Sequence, residues 1–312
     1  MVLLLRKFCR GGASAALTLP LLFCASQPTF GWGRRGHELV NTAAIRNLPE
    51  PLLSYFLVHR DYLVAHATDP DLLAREDAEE QPHHYTEVEA YDRYPFVRFK
   101  KQFVEKRPAP TRTELRHGDS IWQIDRYARQ LTNAFRRRRW SEVDHDAVFL
   151  AHYACDLTQP LHTVLNYDGQ LTGQAGIHAR FESELVNALA DHWMLHPQPA
   201  LAEADVRARI FKEYLASYQN RVLIFAADHI AVRGRSYADS HYREEFENLL
   251  GLMARKRLES AAAFVSSLWY TAWVNAGKPD LQGWRSGEQV SHAGSRVSDL
   301  RHRADVARPA SI

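Results

Sequence analysis

Apolar residues recur three and four positions apart through six stretches of the chain, at residues 36–48, 114–137, 143–158, 179–194, 203–228 and 240–275. That period lines up one face of an α-helix, and runs of β-branched residues, which would argue for strands, are few. Proline and glycine interrupt the pattern at Pro49 and Pro51, Pro70, Pro82, Pro108 and Pro110, Gly118, the 168–177 loop, and Pro197 with Pro199. None of these breaks reads as a long flexible linker, and no internal repeat is present. The pattern predicts an all-α fold: a single-domain helical bundle over residues 32–285. From about Ser286 bulky apolar residues nearly vanish among Ser, Arg, Asp, His and Gly, which predicts a disordered tail over 286–312.

The first 31 residues follow a different plan. Arg6, Lys7 and Arg10 precede an apolar stretch at 15–25, and small and polar residues then lead to Thr29, Phe30 and Gly31. This is the layout of a secretory signal peptide, with an apolar stretch too short to span a bilayer. Cleavage is expected after Ala25 or after Gly31. No other segment is long and apolar enough for a transmembrane anchor, so the processed protein is expected to be secreted or periplasmic.

Composition adds a constraint on partners. With 46% hydrophobic residues, the 312-residue chain can bury a sizeable core. Removing Arg6, Lys7 and Arg10 from the 39 Lys and Arg leaves 36 basic groups against 37 acidic ones. No overall basic field announces a nucleic-acid binder, so any attraction for phosphate has to be local. The one basic run, Arg136 to Arg139, sits at the expected end of a helix and suits its negative pole. Of three cysteines, Cys9 and Cys24 lie in the signal, which leaves Cys155 with no intramolecular disulfide partner.

The chemistry concentrates in Phe149-Leu-Ala-His152-Tyr-Ala-Cys-Asp156-Leu-Thr-Gln159-Pro160-Leu-His162. On a helix, His152 and Asp156 project from one face, and Pro160 ends that helix so that His162 can fold back. His178 and Glu182 repeat the four-residue spacing after a glycine-rich loop. Two His/carboxylate pairs on facing helices are a recurrent way to build a metal site in a bundle, here in a cleft between helices. Mixed imidazole and carboxylate donors suit zinc above calcium or magnesium.

The run His-x-x-x-Asp-x-x-Gln-Pro-Leu-His at 152–162 resembles the signature of the zinc-dependent phospholipase C and S1/P1 nuclease superfamily. The resemblance implies a mature chain that starts at Trp32, whose amino nitrogen and carbonyl oxygen would bind zinc together with His37, and so favours cleavage after Gly31. It further implies an aspartate and, some fifteen residues on, a histidine beside an aromatic. Asp69 and His84 match, with Asp71 and His83 as competing assignments. Three zinc ions per chain follow: one held by Asp69, His84, His152 and Asp156, a second by His162, His178 and Glu182, and a third by Trp32 and His37 with Asp156 as a bridge. Asp69 and Asp156 are the carboxylates expected at the heart of catalysis. The implied reaction is in-line hydrolysis of a phosphodiester by zinc-activated water.

Neither branch of the superfamily is matched throughout. The short Trp32 to His37 and Asp69 to His84 spacings resemble the nucleases, whereas Glu182 and the short His162 to His178 interval resemble the phospholipases C. The expected substrate is nucleic acid, the alternative being a phospholipid head group, and the remaining alternative a secreted protein whose zinc only stabilises the fold. Phe149, Tyr153 and Phe181 are expected in the core beside the site together with Tyr85, and His59, His66, His117 and His145 outside it.

Overall fold

The computed structural model describes residues 32–105 and 115–281. The expected signal peptide and tail lie outside the described residues. Within them the chain is helical and contains no strand. After α1 (Gly33–Arg46) come five short helices: α2 (Leu52–Val58), α3 (Arg60–Ala65), α4 (Asp69–Glu76), α5 (Val88–Tyr91) and α6 (Val97–Val104). The long helices α7 (Ser120–Arg137) and α8 (Trp140–Thr158) follow, then the short α9 (Ile177–Ala179) and α10 (Leu185–Leu189), and finally α11 (Val206–Ala231) and α12 (Ser240–Asn275).

The fold is organised around α8, where every residue from Val143 to Thr158 is buried. A helix enclosed on all sides belongs in the middle of a bundle, and α7, α12, α11 and α1 pack against this one. The α8–α12 seam is tied where the Trp269 indole donates to the Ala147 carbonyl at 3.1 Å and stacks on Phe56 at 4.8 Å. At the other end of α8, Arg257 of α12 donates Nε to the Thr158 carbonyl at 3.0 Å. Its Nη2 reaches Glu213 at 2.8 Å and Ser217 at 2.7 Å, both on α11. One buried guanidinium thus caps the negative pole of α8 and joins three helices two residues beyond Asp156.

The long helices fall where the apolar period places them, and α12 has the bounds 240–275 that the pattern predicts. The expected helix at 114–137 is interrupted: a 3-10 turn at Leu115–His117 precedes Gly118, and α7 starts only at Ser120. Gly118 has φ +79° and lies so close to Tyr85 that an added Cβ would stand 2.1 Å from its carbonyl oxygen, so only glycine fits. The expected helix at 179–194 is a mosaic, with a π turn at Arg180–Glu184 between α9 and α10 and a 3-10 turn at Ala190–His192. Helices α2 to α6 have eight residues or fewer, too short for an apolar period to repeat. Among the described residues, no helix is long and apolar enough to cross a membrane.

Candidate metal centre

Asp156 is fully buried, one helical turn beyond His152 on the same face of α8. Three imidazoles converge on its carboxylate: His37 Nε2 at 3.2 Å, His84 Nδ1 at 2.9 Å and His152 Nε2 at 3.3 Å. His37 arrives on α1, whose first turn is anchored by Trp32. That indole donates to Thr158 Oγ1 at 3.0 Å and to the Cys155 carbonyl at 3.2 Å, and leans on Phe181. The His37 ring then stacks on His152 with centroids 4.2 Å apart and planes 8° from parallel.

His84 sits in the 3-10 turn Gln81–His84, with Nδ1 3.1 Å from His152 Nε2. The carboxylate that joins these two histidines is Asp71, with Oδ1 3.2 Å from His152 Nε2 and 3.5 Å from His84 Nδ1. Asp69, the first expectation for this position, is turned towards His66, 2.8 Å from its Nδ1. Two residues on a helix are about 200° apart, so α4 can aim only one of its two aspartates at the cluster. His83, the alternative to His84, is held by Asp119 at 2.6 Å and Gln123 at 3.1 Å. Burial works against its proton, yet the hydrogen bond and charge of Asp119 prevail and raise its pKa.

A second group forms where α8 ends. Gln159 leaves the helix and accepts from the Leu161 backbone amide, and the Pro160–Thr163 turn swings His162 round. His178 and Glu182 face it from either end of the α9–π-turn segment, with Glu182 Oε2 2.8 Å from His178 Nε2 and 3.5 Å from His162 Nε2. The wider π turn keeps both inward. Its register is clamped by Arg180, which donates to the Ala175 carbonyl at 2.8 Å and the Gln174 carbonyl at 3.0 Å and pairs with Asp228 at 3.2 Å. Asp228 is wholly buried on α11 and also accepts from Tyr242 at 2.6 Å and Gln174 at 2.8 Å. The loop before His178, the π turn and α11 are thereby locked together.

Three imidazoles spend one nitrogen on a backbone carbonyl: His152 Nδ1 on Ala67 at 2.9 Å, His162 Nδ1 on His84 at 2.7 Å, and His178 Nδ1 on Tyr167 at 3.1 Å. A carbonyl only accepts, so each Nδ1 carries a proton and each Nε2 is left facing inward, where a proton or a metal ion can occupy it. The Nε2 atoms of His162 and His178 lie 3.1 Å apart. Two lone pairs at that distance repel unless a cation lies between them. In addition, His37 Nε2, Asp71 Oδ1, Asp156 Oδ1 and Glu182 Oε1 are buried without a well-aligned hydrogen bond. Such atoms are rare in native interiors and call for an explanation. Divalent cations supply one, and the nitrogen and carboxylate donors suit zinc.

The electrostatics agree with a cavity built for positive charge. Burial would lower the pKa of His152, but Asp156 and Asp71 raise it well above the usual imidazole value. Burial would raise Asp156, but His152, His37 and His84 hold it well below the carboxylate range. His162 is raised and Glu182 lowered by the same opposition of burial and opposite charge. His37 with His152 and Asp156, Asp71 with His84 and His152, and His162 with His178 and Glu182 are thus three groups able to hold a metal ion.

Of the remaining histidines, His59 pairs with Asp144 at 2.7 Å, His117 with Glu87 at 2.9 Å and His145 with Asp146 at 3.1 Å, all outside these groups. Cys155 is buried on α8, its thiol pushed well up by burial and by Asp156. Phe149, Tyr153 and Phe181 are buried, and Tyr85 is half-buried. Gln159, part of the 152–162 run but not one of the expected ligands, touches the second group: its amide reaches Glu182 Oε2 and His178 Nε2, each at 3.1 Å. The carbonyl partners of the histidines leave no trace in side-chain pattern at all.

The family model described as S1/P1 Nuclease matches residues 32–199, slightly more than half of the chain. That span begins at Trp32 and takes in every member of the three groups. No curated protein matches the chain.

Proposed function

The chain belongs to the S1/P1 nuclease family, and from that premise we propose that it is an exported, zinc-dependent phosphodiesterase that cleaves nucleic acid. The observation that carries the reading is the pair of inward Nε2 atoms of His162 and His178, 3.1 Å apart beside Glu182 and next to the Asp156 cluster. We assign one zinc to Asp71, His84, His152 and Asp156, a second to His162, His178 and Glu182, and a third to the Trp32 amino and carbonyl groups with His37, Asp156 being shared. When bound, zinc supplies Lewis acidity: it makes water acidic enough to serve as a nucleophile at neutral pH and offsets charge that builds on the phosphoryl oxygens.

The chain's own groups arrange that chemistry. The carbonyls of Ala67, His84 and Tyr167 set the tautomers, the Gln159 amide steadies Glu182, and Asp156 presents one oxygen to His37 and the other to His84 and His152. Burial excludes water and strengthens every one of these interactions. A family match that begins at Trp32 supports processing after Gly31 and the inclusion of residues 32–199 in the catalytic domain we propose. One aromatic ring borders the second group, that of Tyr167, 46% exposed and 6.0 Å from the His178 ring. A flat exposed ring of this kind can stack a base.

The test is a side-by-side assay of the purified processed protein on single-stranded DNA, RNA and phosphatidylcholine vesicles, with and without a chelator. We expect cleavage of the nucleic acids, abolished by chelation and restored by zinc. Release of a phosphorylated head group with no nucleic-acid cleavage would transfer the site to the phospholipase reading, and no hydrolysis of any of them would leave the metals a structural role.

A further inference from the structure

Among the described residues Arg126 is a cation without a counter-ion. It lies on α7, where Nη1 makes a long 3.4 Å contact with Gln123 Oε1, while Nε and Nη2 are shielded from solvent and form no hydrogen bond. Among the described residues no carboxylate comes within ion-pair distance of it. A guanidinium stays charged at any working pH, and shielding it without an anion is costly. The Tyr127 ring, 5.5 Å from Cζ, compensates only in part.

The nearby acids already have other partners. Asp119 accepts from Gln123 at 2.9 Å and meets His83 at 2.6 Å, Glu80 accepts from Tyr153, and Asp146 is taken by His145. Arg126 is near enough to act on His83, Asp146 and Tyr153 alike. It therefore stands beside the metal centre among His83, Asp146 and the Tyr127 and Tyr153 rings. On the other side of Tyr127, with ring centroids 6.5 Å apart, is His145, 7% exposed, whose Nε2 is also buried without a partner.

Tyr153 links Arg126 to the metal centre: Arg126 acts on it, and its ring lies 5.6 Å from that of His84 and 5.7 Å from that of His152. In a polynucleotide held with its scissile phosphate at that centre, a neighbouring phosphate is the anion this guanidinium would meet. Two free N–H groups on one planar fork match two phosphate oxygens. We propose that Arg126, flanked by His145, is a second phosphate-binding position that grips a neighbouring phosphate of the polynucleotide. The inference rests on the nuclease reading and adds to it a preference for chains longer than a dinucleotide.

The experiment compares a dinucleoside monophosphate, which has a single phosphate, with the trinucleotide that has one more, for the wild type, Arg126→Gln and Arg126→Lys. Circular dichroism and zinc content establish that each variant is folded and loaded. The wild type should gain from the added phosphate, mainly through KM. Arg126→Gln should lose that gain, about tenfold or more, and the slope of log kcat/KM against log salt should become shallower by about 0.7. Arg126→Lys keeps the charge but not the fork, so it should keep the slope and lose part of the gain. If Arg126→Gln does not fold, the lysine variant decides. Equal losses on both substrates with an unchanged slope, or no gain in the wild type, would overturn the phosphate site and leave the nuclease reading intact. A wild type that cleaves neither substrate would overturn both.

Discussion

Asp69 and Asp71 differ by two positions in sequence and by a side of α4 in space. The first serves His66, the second stands between His84 and His152. Both flank Pro70 at the start of the helix, and a spacing argument from the distant His84 fits either. Only the rotation of α4 separates them. Asp71→Asn is therefore expected to lose about one zinc per chain and to cut phosphodiester hydrolysis by ~100-fold or more, as loss of metal-site groups does. Asp69→Asn should retain the metal and most of the activity, since it breaks one partly exposed pair worth about 1 kcal/mol or less. Metal analysis and rates on the two purified variants decide it, and the reverse pattern would return Asp69 to the cluster.

At the scale of elements, what the apolar period reveals depends on length. The buried α8 and the 36-residue α12 repeat their pattern often enough to be read from sequence, whereas α4 and the Gln81–His84 turn, which supply Asp71 and His84, are too short to do so. Short helices depend on their ends instead. Asp92 accepts from the backbone amides of Arg98 at 2.9 Å and Phe99 at 3.1 Å, two orphan donors in the first turn of α6. Burial would raise its carboxyl, but these hydrogen bonds, with those of Arg93 and the Arg98 side chain, hold it below the usual carboxylate range. A depressed pKa contributes stability that is complete above the unfolded value of about 3.9 and is lost as pH falls through the folded one. Asp92→Ala should thus cost about 1–2 kcal/mol near pH 7, and the deficit should shrink as pH falls below the usual carboxylate range. Denaturant unfolding near neutral pH and in acid measures it, and an equal deficit at each would rule out the charged carboxylate as the cap.

For the whole molecule, the three groups draw on α1, α4, α8, α9, the π turn and two 3-10 turns, so metal bound there cross-links most of the first half of the chain to its core helix. Ligands that bind only the native state stabilise it by mass action. At free zinc one hundred times the dissociation constant, one site is worth about 2.7 kcal/mol, or a melting shift of roughly 5–10 °C for a chain of this size. Chelation is expected to lower the melting temperature by at least that much, and zinc but not magnesium should restore it. A melting temperature indifferent to chelation would mean that the groups hold no zinc in solution.

The sequence by itself determined the all-α class, the long helices and the residue types from which a zinc centre can be made, because these depend on period and on short spacings that one helix enforces. His152 with Asp156, and His178 with Glu182, are such pairs, and so is the break at Pro160 that returns His162. The tertiary structure decided what no local rule reaches. It turned Asp71 rather than Asp69 inward, set tautomers with carbonyls from remote turns, locked the π turn through Arg180 and Asp228, and left Arg126 without a counter-ion among the described residues. Each of these depends on how one helix is rotated against another, and that rotation is settled by packing over the whole core, which a reading of one segment at a time does not contain.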